Sequence, residues 1–530
     1  MRTRSLWHTM CFAIFLLAAV LLTGPPDAAP APAPGASNVL TFHGDFARTG
    51  WNAAERTLTP DTVRGGRFGK LWTSSTDGEI YAEPLVVSGV VVAGAVPRTL
   101  VYVVTERDLV YAFDAAAGKV AWGPVSLGAP VSRASLPCGN IDPVGITSTP
   151  VIDRAASTLY VVGLTTPDGG QTKVYKAAAL DLATGRMRPG WPATIAPPPS
   201  GGRRFDPGTQ QQRGALALVR GVVYVPFGGY WGDCAQYHGW VVGVPAGDPA
   251  HQQSYAVPTG RMGAIWAAGG IAVDASGRLY ASTGNSDSEG PVDFGNAVIR
   301  LETQPALRFS GAAQDYFVPS NFVALNDRDT DLGSTAPLLL PPQPGPVPHL
   351  VFIAGKQGVA YLINADNMGG VSKGNGISGE AVYSRCVFGS CQGGGPQVFS
   401  SAAYWDAGVG GRFVLVPGRG SQPSPCRGTG GVAALKLGAA PGFDVAWCSG
   451  SMRNAGAPAV SSAGADGGLV WVVDSGEGVL HALNGLTGAE VYASSGADAL
   501  SGAHQFITPA VAGGRVYVGA GHTVVAYGLR

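Results

Sequence analysis

The chain has 530 residues, of which 79 are glycine, 40 are proline and only 13% are charged, and its formal net charge is zero. A neutral chain without a basic stripe argues against nucleic acid as a partner. Abundant glycine and proline with few charged residues are typical of a β-protein dense in turns, and the 45% of hydrophobic residues suffice for a large core.

The first element in the chain is an N-terminal targeting segment. Arg2 and Arg4 precede the apolar run of residues 11–22, and a stretch rich in proline and alanine follows it. This order is typical of a secretory signal peptide. The run is shorter than the roughly 20 residues that cross a bilayer, so we expect no stable membrane span, with an uncleaved anchor as the alternative. We assign residues 1–36 to the signal peptide and its linker, and we expect a secreted or periplasmic protein.

A sequence repeat runs through the rest of the chain. Residues 101–122 read VYVVTERDLVYAFDAAAGKVAW, and eroded copies return at residues 159–191 and 469–492. Each copy has two β-runs, a tight Asp or Asn turn closed by glycine, and a third run that ends in an aromatic residue. A repeat of this size, with four short strands, is typical of one blade of a β-propeller.

Every blade is expected to open with an inner strand near a proline or glycine. Eight such openings occur, beginning at Glu83, Ser148, Arg213, Ala267, Ser334, Ser400, Gly456 and Ile507. The last unit is one strand short, and residues 68–75 supply an outer strand for it, which closes the ring and removes both free sheet edges. The predicted fold is all-β: an eight-bladed β-propeller of four-stranded blades over residues 68–530. We expect residues 37–67 to wrap around its outside.

In the best-preserved turn, AFDAAAGKVAW, the residue types are explained by the conformation of the turn. Asp114 is suited to bond the backbone amides of its own turn, and Gly118 supplies a positive φ. Trp122 is then predicted to lie between neighbouring blades. We expect the same position for Trp191 and Trp447.

Six cysteines remain after removal of the signal peptide. An even number of cysteines in an exported chain predicts disulfides. Six cysteines allow fifteen pairings, and of these we favour Cys386–Cys391, Cys426–Cys448 and the long-range pair Cys138–Cys234. The chain contains no CxxCH sequence, so no covalently attached haem is expected.

The repeat is broken and lengthened between residues 260 and 367. There the chain reads GRMGAIWAAGGIAVDASGRLYASTGN, then DRDTDLGSTAPLLL, then HLVFIAGKQGVAYLINADN. These segments, together with an AxDxxTGxxxW turn repeated around eight blades, resemble the pyrroloquinoline quinone (PQQ)-dependent alcohol dehydrogenases. The repeat alone also resembles non-enzymatic relatives of that family, so by itself it predicts a fold and not a function.

The resemblance implies roles for four residues of the broken region. Trp266 matches the tryptophan beneath the quinone ring, and Asn285 matches a ligand of a Ca²⁺ ion that polarises the quinone carbonyl. Asp331 matches the base that takes the alcohol proton beside that ion, as a further oxygen ligand. Lys356 matches a catalytic residue that contacts the quinone oxygens and stabilises negative charge there.

Each of these residues also has a purely structural interpretation. Trp266 is then packed between blades, Asn285 belongs to an ordinary turn, and Lys356 lies at the surface. The alternating acids Asp327, Asp329 and Asp331 then belong to a solvated loop or to a structural calcium loop.

Three further residues match the family's pattern more weakly. Glu83 lies close to a position that contacts the cofactor. Asp233 is the nearest carboxylate where the family has a metal-binding glutamate, so we assign it to the metal. Cys138 falls in the segment that carries the family's adjacent cysteine pair over the cofactor, but its neighbour here is Gly139. A Cys138–Cys234 disulfide would take the place of that cap.

Polar residues cluster just ahead of several inner strands, where they are predicted to face the central funnel. They are Gln211, Gln212, Arg213, Arg261, Arg453, Asn454, His504 and Gln505. Side chains at these positions either recognise a substrate or satisfy backbone groups around the channel.

We therefore expect an exported quinoprotein-type oxidoreductase that oxidises an alcohol or aldehyde group with PQQ and a calcium-type metal. Without a haem of its own, it would pass electrons to an external acceptor. The alternative is a non-catalytic extracytoplasmic propeller that binds protein or carbohydrate. A degenerate enzyme that keeps a metal but binds another ligand is a third interpretation.

Overall fold

Short strands dominate the structure, a computed structural model that describes Met1 and residues 38–393 and 395–530. The strands form eight sheets of four or five members, in which strands consecutive along the chain pair antiparallel. The predicted eight-bladed, all-β propeller is thereby confirmed. The predicted signal peptide lies outside the described residues. No described helix is long and apolar enough to cross a membrane.

We number the blades in chain order and give the strands of each blade from the centre of the ring outwards. Blade 1 contains Leu85–Val90, Arg98–Val104, Leu109–Asp114 and Val120–Ser126. Blade 2 contains Val151–Asp153, Thr158–Thr166, Val174–Asp181 and Ala193–Thr194. Blade 3 contains Ala217–Val219, Val222–Phe227, Trp240–Pro245 and Gln253–Ala256. Blade 4 contains Ala272–Val273, Leu279–Ser282, Val298–Leu301 and Tyr316–Val318.

The second half of the ring repeats this arrangement. Blade 5 contains Leu338–Leu339, Leu350–Ala354, Val359–Asn364 and Tyr383–Cys386. Blade 6 contains Ala403–Asp406, Arg412–Ser421, Thr429–Leu437 and Phe443–Cys448. Blade 7 contains Ala459–Ala463, Asp466–Asp474, Val479–Asn484 and Glu490–Ala493. Blade 8 contains Ala510–Ala512, Arg515–Ala520, Thr523–Leu529 and Phe68–Ser75.

Few other regular elements are present in the described residues. Three short strands extend blades 7, 2 and 4, namely Trp51–Asn52, Ala129–Pro130 and Gly370–Val371. The helices are Pro60–Arg64 and Phe322–Asp327, and the 3₁₀ turns are Arg133–Ser135, Ala313–Asp315, Leu332–Ser334, Gly408–Gly410 and Gly496–Asp498.

Both faces of each blade are covered by neighbouring blades, which explains the continuous apolar runs of the middle strands. The second strand of blade 2 is buried at every position. The apolar clusters combine residues from adjacent blades; one of them contains Tyr160 of blade 2 together with Val225 and Trp240 of blade 3. A strand buried on both faces carries apolar side chains without alternation.

The predicted turn motif is confirmed in blade 1. Asp114 Oδ1 accepts hydrogen bonds from the backbone of Ala116 and Ala117 at 2.9 and 3.1 Å. Gly118 has a φ of 69°, a conformation that favours glycine. Trp122 then donates its indole N–H to the carbonyl oxygen of Leu182 in blade 2, at 2.8 Å.

Other blades make the same inter-blade bond. Trp447 of blade 6 donates to the carbonyl of Gly485 in blade 7 at 2.9 Å. Trp72 of blade 8 donates to Ala115 of blade 1 at 3.1 Å. Trp191 packs at the edge of the apolar cluster that blades 2 and 3 share. A tryptophan on the outer strand of one blade is therefore bonded to the turn of the next blade.

The ring is closed in the way the sequence predicts. Phe68–Ser75 pairs antiparallel with Thr523–Leu529, from Phe68 opposite Leu529 to Ser75 opposite Thr523. The N-terminal strand is thus the outer strand of blade 8. The three favoured disulfides, Cys138–Cys234, Cys386–Cys391 and Cys426–Cys448, are all present.

Residues 39–52, which we call the inner segment, lie inside the ring and not outside it as expected. Backbone N–H groups at the inner strands of six blades donate to this segment in chain order: Val86 to Val39, Ile152 to Leu40, Val273 to Phe46, Leu339 to Ala47, Tyr404 to Thr49 and Val460 to Gly50. Asn52 donates its amide to Val511 O of blade 8 at 3.0 Å. The later helix Pro60–Arg64 lies beside the outer strands of blades 7 and 8.

Candidate active site

A cavity of about 560 Å³ lies on the axis of the ring. Its walls come from links and turns all around the ring, from Asn140 after blade 1 to Phe506 before blade 8. In a blade of four antiparallel strands, the turn between the second and third strands and the link to the next blade fall at the same end. The cavity therefore collects residues from many separate stretches of sequence.

The four residues of the broken region meet in this cavity. Trp266 and Asp331 precede the inner strands of blades 4 and 5, while Asn285 and Lys356 follow the second strands of the same blades. All four therefore belong to the end of the ring where such links and turns meet. The structural interpretation that places Lys356 at the protein surface is wrong, because only 9% of this residue is exposed.

Asp331 is the centre of the polar contacts and is only 1% exposed. Its Oδ2 accepts a hydrogen bond from the indole N–H of Trp266 at 2.9 Å. Its Oδ1 lies 2.7 Å from Lys356 Nζ. The Lys356 ammonium also lies 5.3 Å from the centre of the Trp266 ring. One carboxylate thus holds both the flat ring and the cation in fixed positions.

Lys356 bridges two carboxylates. Besides Asp331, its Nζ donates to Asp329 Oδ1 at 2.6 Å. Burial alone would lower the pKa of the Lys356 ammonium, but the adjacent Asp331 and Asp329 outweigh burial and hold the pKa above its ordinary value. The side chain is therefore a permanent cation in the cavity wall.

Asn285 is linked to the same cluster through Asp329. Its Nδ2 donates to Asp329 Oδ1 at 2.9 Å, while its Oδ1 receives only a long contact of 3.5 Å from Asn296 Nδ2. Because the amide nitrogen is engaged by a carboxylate, the amide oxygen is the atom left for a further partner.

Local backbone geometry brings these groups together. The backbone N–H of Lys356 donates to the carbonyl of Asp331 at 3.0 Å, which joins the two loops directly. Gly284 lies under the cluster, where a Cβ atom would come within 2.9 Å of Asp331 Oδ2 and 3.1 Å of Trp266 Nε1. Any other residue at this position would displace the carboxylate from the indole.

Asp233 lies at the exposed mouth of the cavity. Its Oδ1 accepts a hydrogen bond from the Tyr237 hydroxyl at 2.5 Å. Although the residue is exposed as a whole, its carboxyl group faces protein, and the loss of water there raises its pKa, assisted by the negative charges of Asp331 and Asp329. Asp233 thus shares the electrostatic environment of the inner cluster.

The Cys138–Cys234 disulfide holds the loops at this mouth. Gly232 lines the cavity, and a Cβ atom on it would lie 3.3 Å from Cys138 Sγ. Asn140, two residues after Cys138, also lines the cavity. The disulfide therefore links the two rim segments that were predicted to cap the cofactor, although Cys138 itself does not line the cavity.

Glu83 does not line the main cavity. It lies in a smaller space of about 10 Å³, which shares Arg213 and Phe506 with that cavity. Its carboxylate accepts a hydrogen bond from the backbone N–H of His43 in the inner segment at 2.8 Å. Burial raises the pKa of Glu83 to about 8. Glu83 thus contacts the inner segment, and a direct role for it in binding a cofactor remains a prediction.

Three of the eight predicted funnel residues line the cavity, and the other five do not: Gln212, Arg261, Arg453, Asn454 and His504. Gln211, Arg213 and Gln505 line the cavity. Gln212 instead satisfies the backbone, with its amide nitrogen 2.7 Å from Gly214 O. Phe506 also lines the cavity, and its ring lies 6.2 Å from that of Trp266. A lone phenylalanine in a link between blades gives no sequence signal for such a position.

The oxygen atoms of the cluster fit a hard cation. Asp331 Oδ1 is buried without a well-directed hydrogen bond, although Lys356 lies close to it, and Asn285 Oδ1 is nearly unengaged. Carboxylate and amide oxygens are the donors that Ca²⁺ prefers. Within the described part of the chain, no three His, Cys, Asp or Glu side chains form a metal-binding group. A cation here would need further oxygen atoms from a bound ligand.

No family model and no curated protein matches this sequence. Solved structures share its fold. The quinohemoprotein alcohol dehydrogenase from Comamonas testosteroni has a TM-score of 0.65 and 16% identity, over 93% of this chain and 80% of that chain. Another, from Pseudomonas putida HK5, has a TM-score of 0.65 and 15% identity over the same shares. A europium-containing methanol dehydrogenase has a TM-score of 0.62 and 14% identity, over 92% and 90%. This chain has the propeller fold of those dehydrogenases.

Proposed function

We propose that the protein is an exported oxidoreductase of the quinoprotein type, which oxidises an alcohol or aldehyde group with PQQ and a calcium-type cation. The observation that carries the proposal is the meeting of Trp266, Asn285, Asp331 and Lys356 in one axial cavity. These four residues come from separate loops, and a structural role for each alone does not require that they meet.

The cavity has the size and lining for a flat ring and a small substrate. Its volume of about 560 Å³ lies within the range of small-molecule sites, which is roughly 300–1,000 Å³. Trp266, Phe399 and Phe506 supply aromatic surface, and aromatic faces favour stacking on planar ligands. One group of polar side chains, Asp331 with Lys356 and Asp329, is gathered at the N–H end of the indole.

Different residues would hold the quinone and the cation. Trp266 would support the ring, and Asn285 and Asp331 would bind the cation, with Asp233 close by. When bound, the quinone supplies an acceptor for the two electrons and the hydrogen of the alcohol carbon, and the cation polarises its carbonyl.

Asp331 is suited to accept the proton of the substrate hydroxyl. Its carboxylate is buried, and the Trp266 indole and the Lys356 ammonium hold both of its oxygen atoms. A base fixed in this way does not need to reorient during the reaction. Lys356, a permanent cation, would stabilise negative charge that develops on a nearby oxygen.

Export and an external electron acceptor belong to the same proposal. Three disulfides support export, because disulfides persist in oxidising compartments. The absence of a CxxCH sequence supports an acceptor outside this chain. The alcohol dehydrogenases with the same fold support a small alcohol or aldehyde as substrate.

The test is reconstitution of the purified protein with PQQ and CaCl₂, followed by calorimetric binding and dye-linked oxidation of simple alcohols. We expect D331N to bind PQQ but to lower kcat by about 10²- to 10⁴-fold, because the general base is lost. The asparagine side chain of D331N still accepts the indole hydrogen bond, so the fold should persist. D327N is the matched control, since Asp327 is exposed at the end of the helix that precedes Asp331 and does not line the cavity.

Two results would contradict the proposal. Failure of the wild-type protein to bind PQQ at micromolar concentration would favour a non-catalytic propeller. Equal kcat values for D331N and D327N would remove Asp331 from the proton transfer, even if the quinone binds.

A further inference from the structure

Arg213 is a cation in the cavity wall that no described residue pairs with. Its guanidinium carbon lies 4.3 Å from the centre of the Phe506 ring and 6.0 Å from that of Trp266. The residue is partly buried and lines both the main cavity and the adjacent small space. It makes no hydrogen bond or ion pair with any residue that the structure describes.

A second arginine, Arg419, has a guanidinium whose hydrogen-bond donors are occupied within the protein. Arg419 lies 4.7 Å from the centre of the Phe399 ring, a stacking similar to that of Arg213 on Phe506. Both Nε and Nη2 of Arg419, however, donate to Asn454 Oδ1. The guanidinium N–H donors of Arg419 are therefore used within the protein, whereas those of Arg213 are available to a ligand.

Two acids lie near Arg213, and neither pairs with it. Glu83 lines the same small space, but its carboxylate accepts the backbone N–H of His43. Glu106 influences Arg213 electrostatically, but its Oε2 accepts the backbone N–H of Gly145 at 2.8 Å and no ion pair forms. Burial raises the pKa of Glu106 to about 7, so the acid is only partly ionised at neutral pH. A guanidinium taken out of water without a counter-charge costs free energy, which an anionic ligand would offset.

The chemistry of the surroundings favours a carboxylate. Gln211 and Gln505 line the same cavity, and their side-chain amides make no hydrogen bond to the described residues. A planar guanidinium presents parallel N–H donors that match a carboxylate in a bidentate pair. The aromatic rings of Phe506 and Trp266 keep the guanidinium oriented.

We propose that Arg213 is the anion-recognition residue of the axial cavity, and that it binds a carboxylate group of the molecule that fills the cavity. The inference rests on the proposed function for the nature of that molecule. The carboxylate has two sources, PQQ itself or an alcohol substrate that carries an acid group. Both require the same guanidinium, and the experiment separates them.

The test measures binding by calorimetry to the wild-type protein and to R213M, R213K and the control R419M, in the presence of Ca²⁺. The probes are PQQ and phenanthrenequinone, a tricyclic ortho-quinone without carboxylates. We expect R213M to bind PQQ about 10- to 100-fold more weakly than wild type, the effect of losing one charged hydrogen-bonded pair. The affinity of R213K for PQQ should be intermediate, and that of R419M should equal the wild-type value. All variants should bind phenanthrenequinone with the same affinity.

A second arm identifies a substrate carboxylate. If R213M binds PQQ as tightly as wild type does, the PQQ-loaded proteins are compared with lactate and with uncharged 1,2-propanediol. A KM for lactate that rises at least 10-fold in R213M, with an unchanged KM for propanediol, supports recognition of the substrate. Melting temperatures of the variants show whether they are folded.

The inference is overturned if R213M retains wild-type affinity for PQQ and a wild-type KM for lactate. The proposed function would survive that result, because the wild-type protein would still bind the quinone. Conversely, a wild-type protein that binds neither quinone would contradict the proposed function. If calorimetry then showed that lactate binds to the wild-type protein and not to R213M, the inference would still be supported.

Discussion

Several acids near the axis of the ring are buried without a full set of partners. Glu83 is 4% exposed, Glu106 is 1% exposed, and Asp108 is fully buried with no hydrogen bond to either carboxylate oxygen in the described residues. Burial raises the pKa of all three, to about 8 for Glu83 and about 7 for Glu106. These residues favour the protonated form in the folded protein, which makes folding dependent on pH.

We predict that E83Q stabilises the protein at neutral and alkaline pH. The pKa of Glu83 is raised from 4.5 to about 8 on folding, so the folded state binds its proton more tightly than the unfolded chain does. Its contribution to stability is complete below pH 4.5 and is lost as pH rises to 8, at about 1.4 kcal/mol per pH unit. E83Q removes this loss and should be on the order of 3 kcal/mol more stable than wild type at pH 7.

Urea unfolding from pH 4.5 to pH 9 measures this difference. The glutamine side chain of E83Q can still accept the backbone hydrogen bond from His43, so the variant changes charge and little else. E289Q is the matched control, because Glu289 is exposed. A difference between E83Q and wild type that does not change with pH would show that Glu83 stays ionised in the folded protein.

The four central site residues illustrate what can be read from sequence at this scale. Trp266, Asn285, Asp331 and Lys356 stand where the blade repeat is interrupted, and interruptions of a regular repeat are visible in a single sequence. Arg213 was identified only as one of several polar residues ahead of inner strands. Its unpaired state depends on three-dimensional contacts with Phe506 and Trp266, which no local pattern records.

At the scale of elements, the glycine of the turn and the tryptophan of the preceding blade form one packing unit. Gly185 of blade 2 has a φ of 68°, and a Cβ atom on it would lie 2.5 Å from the Trp122 ring of blade 1. Gly488 of blade 7 stands in the same relation to Trp447 of blade 6, at 2.4 Å. Glycine is therefore required there for two separate reasons.

We predict that G185A destabilises the protein more than backbone strain alone explains. The positive φ costs about 1–2 kcal/mol for a residue with a Cβ atom, and the overlap with Trp122 adds a further 1–3 kcal/mol through overpacking. G190A is the control, because Gly190 has a φ of 81° but nothing within 4 Å of its added Cβ. Urea unfolding should show G185A losing at least 1 kcal/mol more than G190A, and equal losses would mean that Trp122 moves aside freely.

The strands were more predictable than the segment that precedes them. All eight inner strands follow the openings recognised in the sequence, from Leu85–Val90 to Ala510–Ala512. Residues 39–52 escaped recognition because they make mostly single backbone hydrogen bonds to successive blades. A segment bonded in this way needs no alternation of side chains, so its position inside the ring has no periodic signature.

At the scale of the whole molecule, two stretches near the N-terminus hold the ring together in different ways. Phe68–Ser75 completes the outer edge of blade 8 and so joins the last blade to the first part of the chain. The inner segment reaches the inner strands of the blades from within. Its fully buried Arg48 connects it to two further points, the carbonyl oxygens of Ile271 and Leu216, each at 3.0 Å.

Arg48 should therefore hold the inner segment against the ring. It also donates to Thr41 Oγ1 at 2.7 Å and to Phe42 O at 3.1 Å, so one side chain fixes the fold of the segment and its attachment to blades 3 and 4. Loss of a buried, fully hydrogen-bonded cation leaves several acceptors unpaired. We predict that R48M lowers the free energy of unfolding by about 3–5 kcal/mol.

Hydrogen exchange makes this prediction specific to the segment. Four amides donate to the inner segment, those of Val273, Leu339, Tyr404 and Val460. They should exchange faster in R48M than in wild type. Amides between the outer strands of blade 8 should remain as well protected, relative to one another, as in wild type. R64M is the control, because Arg64 is exposed on the helix beside blade 7 and an exposed change costs less than about 0.5 kcal/mol. If R48M lost stability while these four amides stayed protected, the segment would be held by its backbone bonds alone, and Arg48 would stabilise only blades 3 and 4.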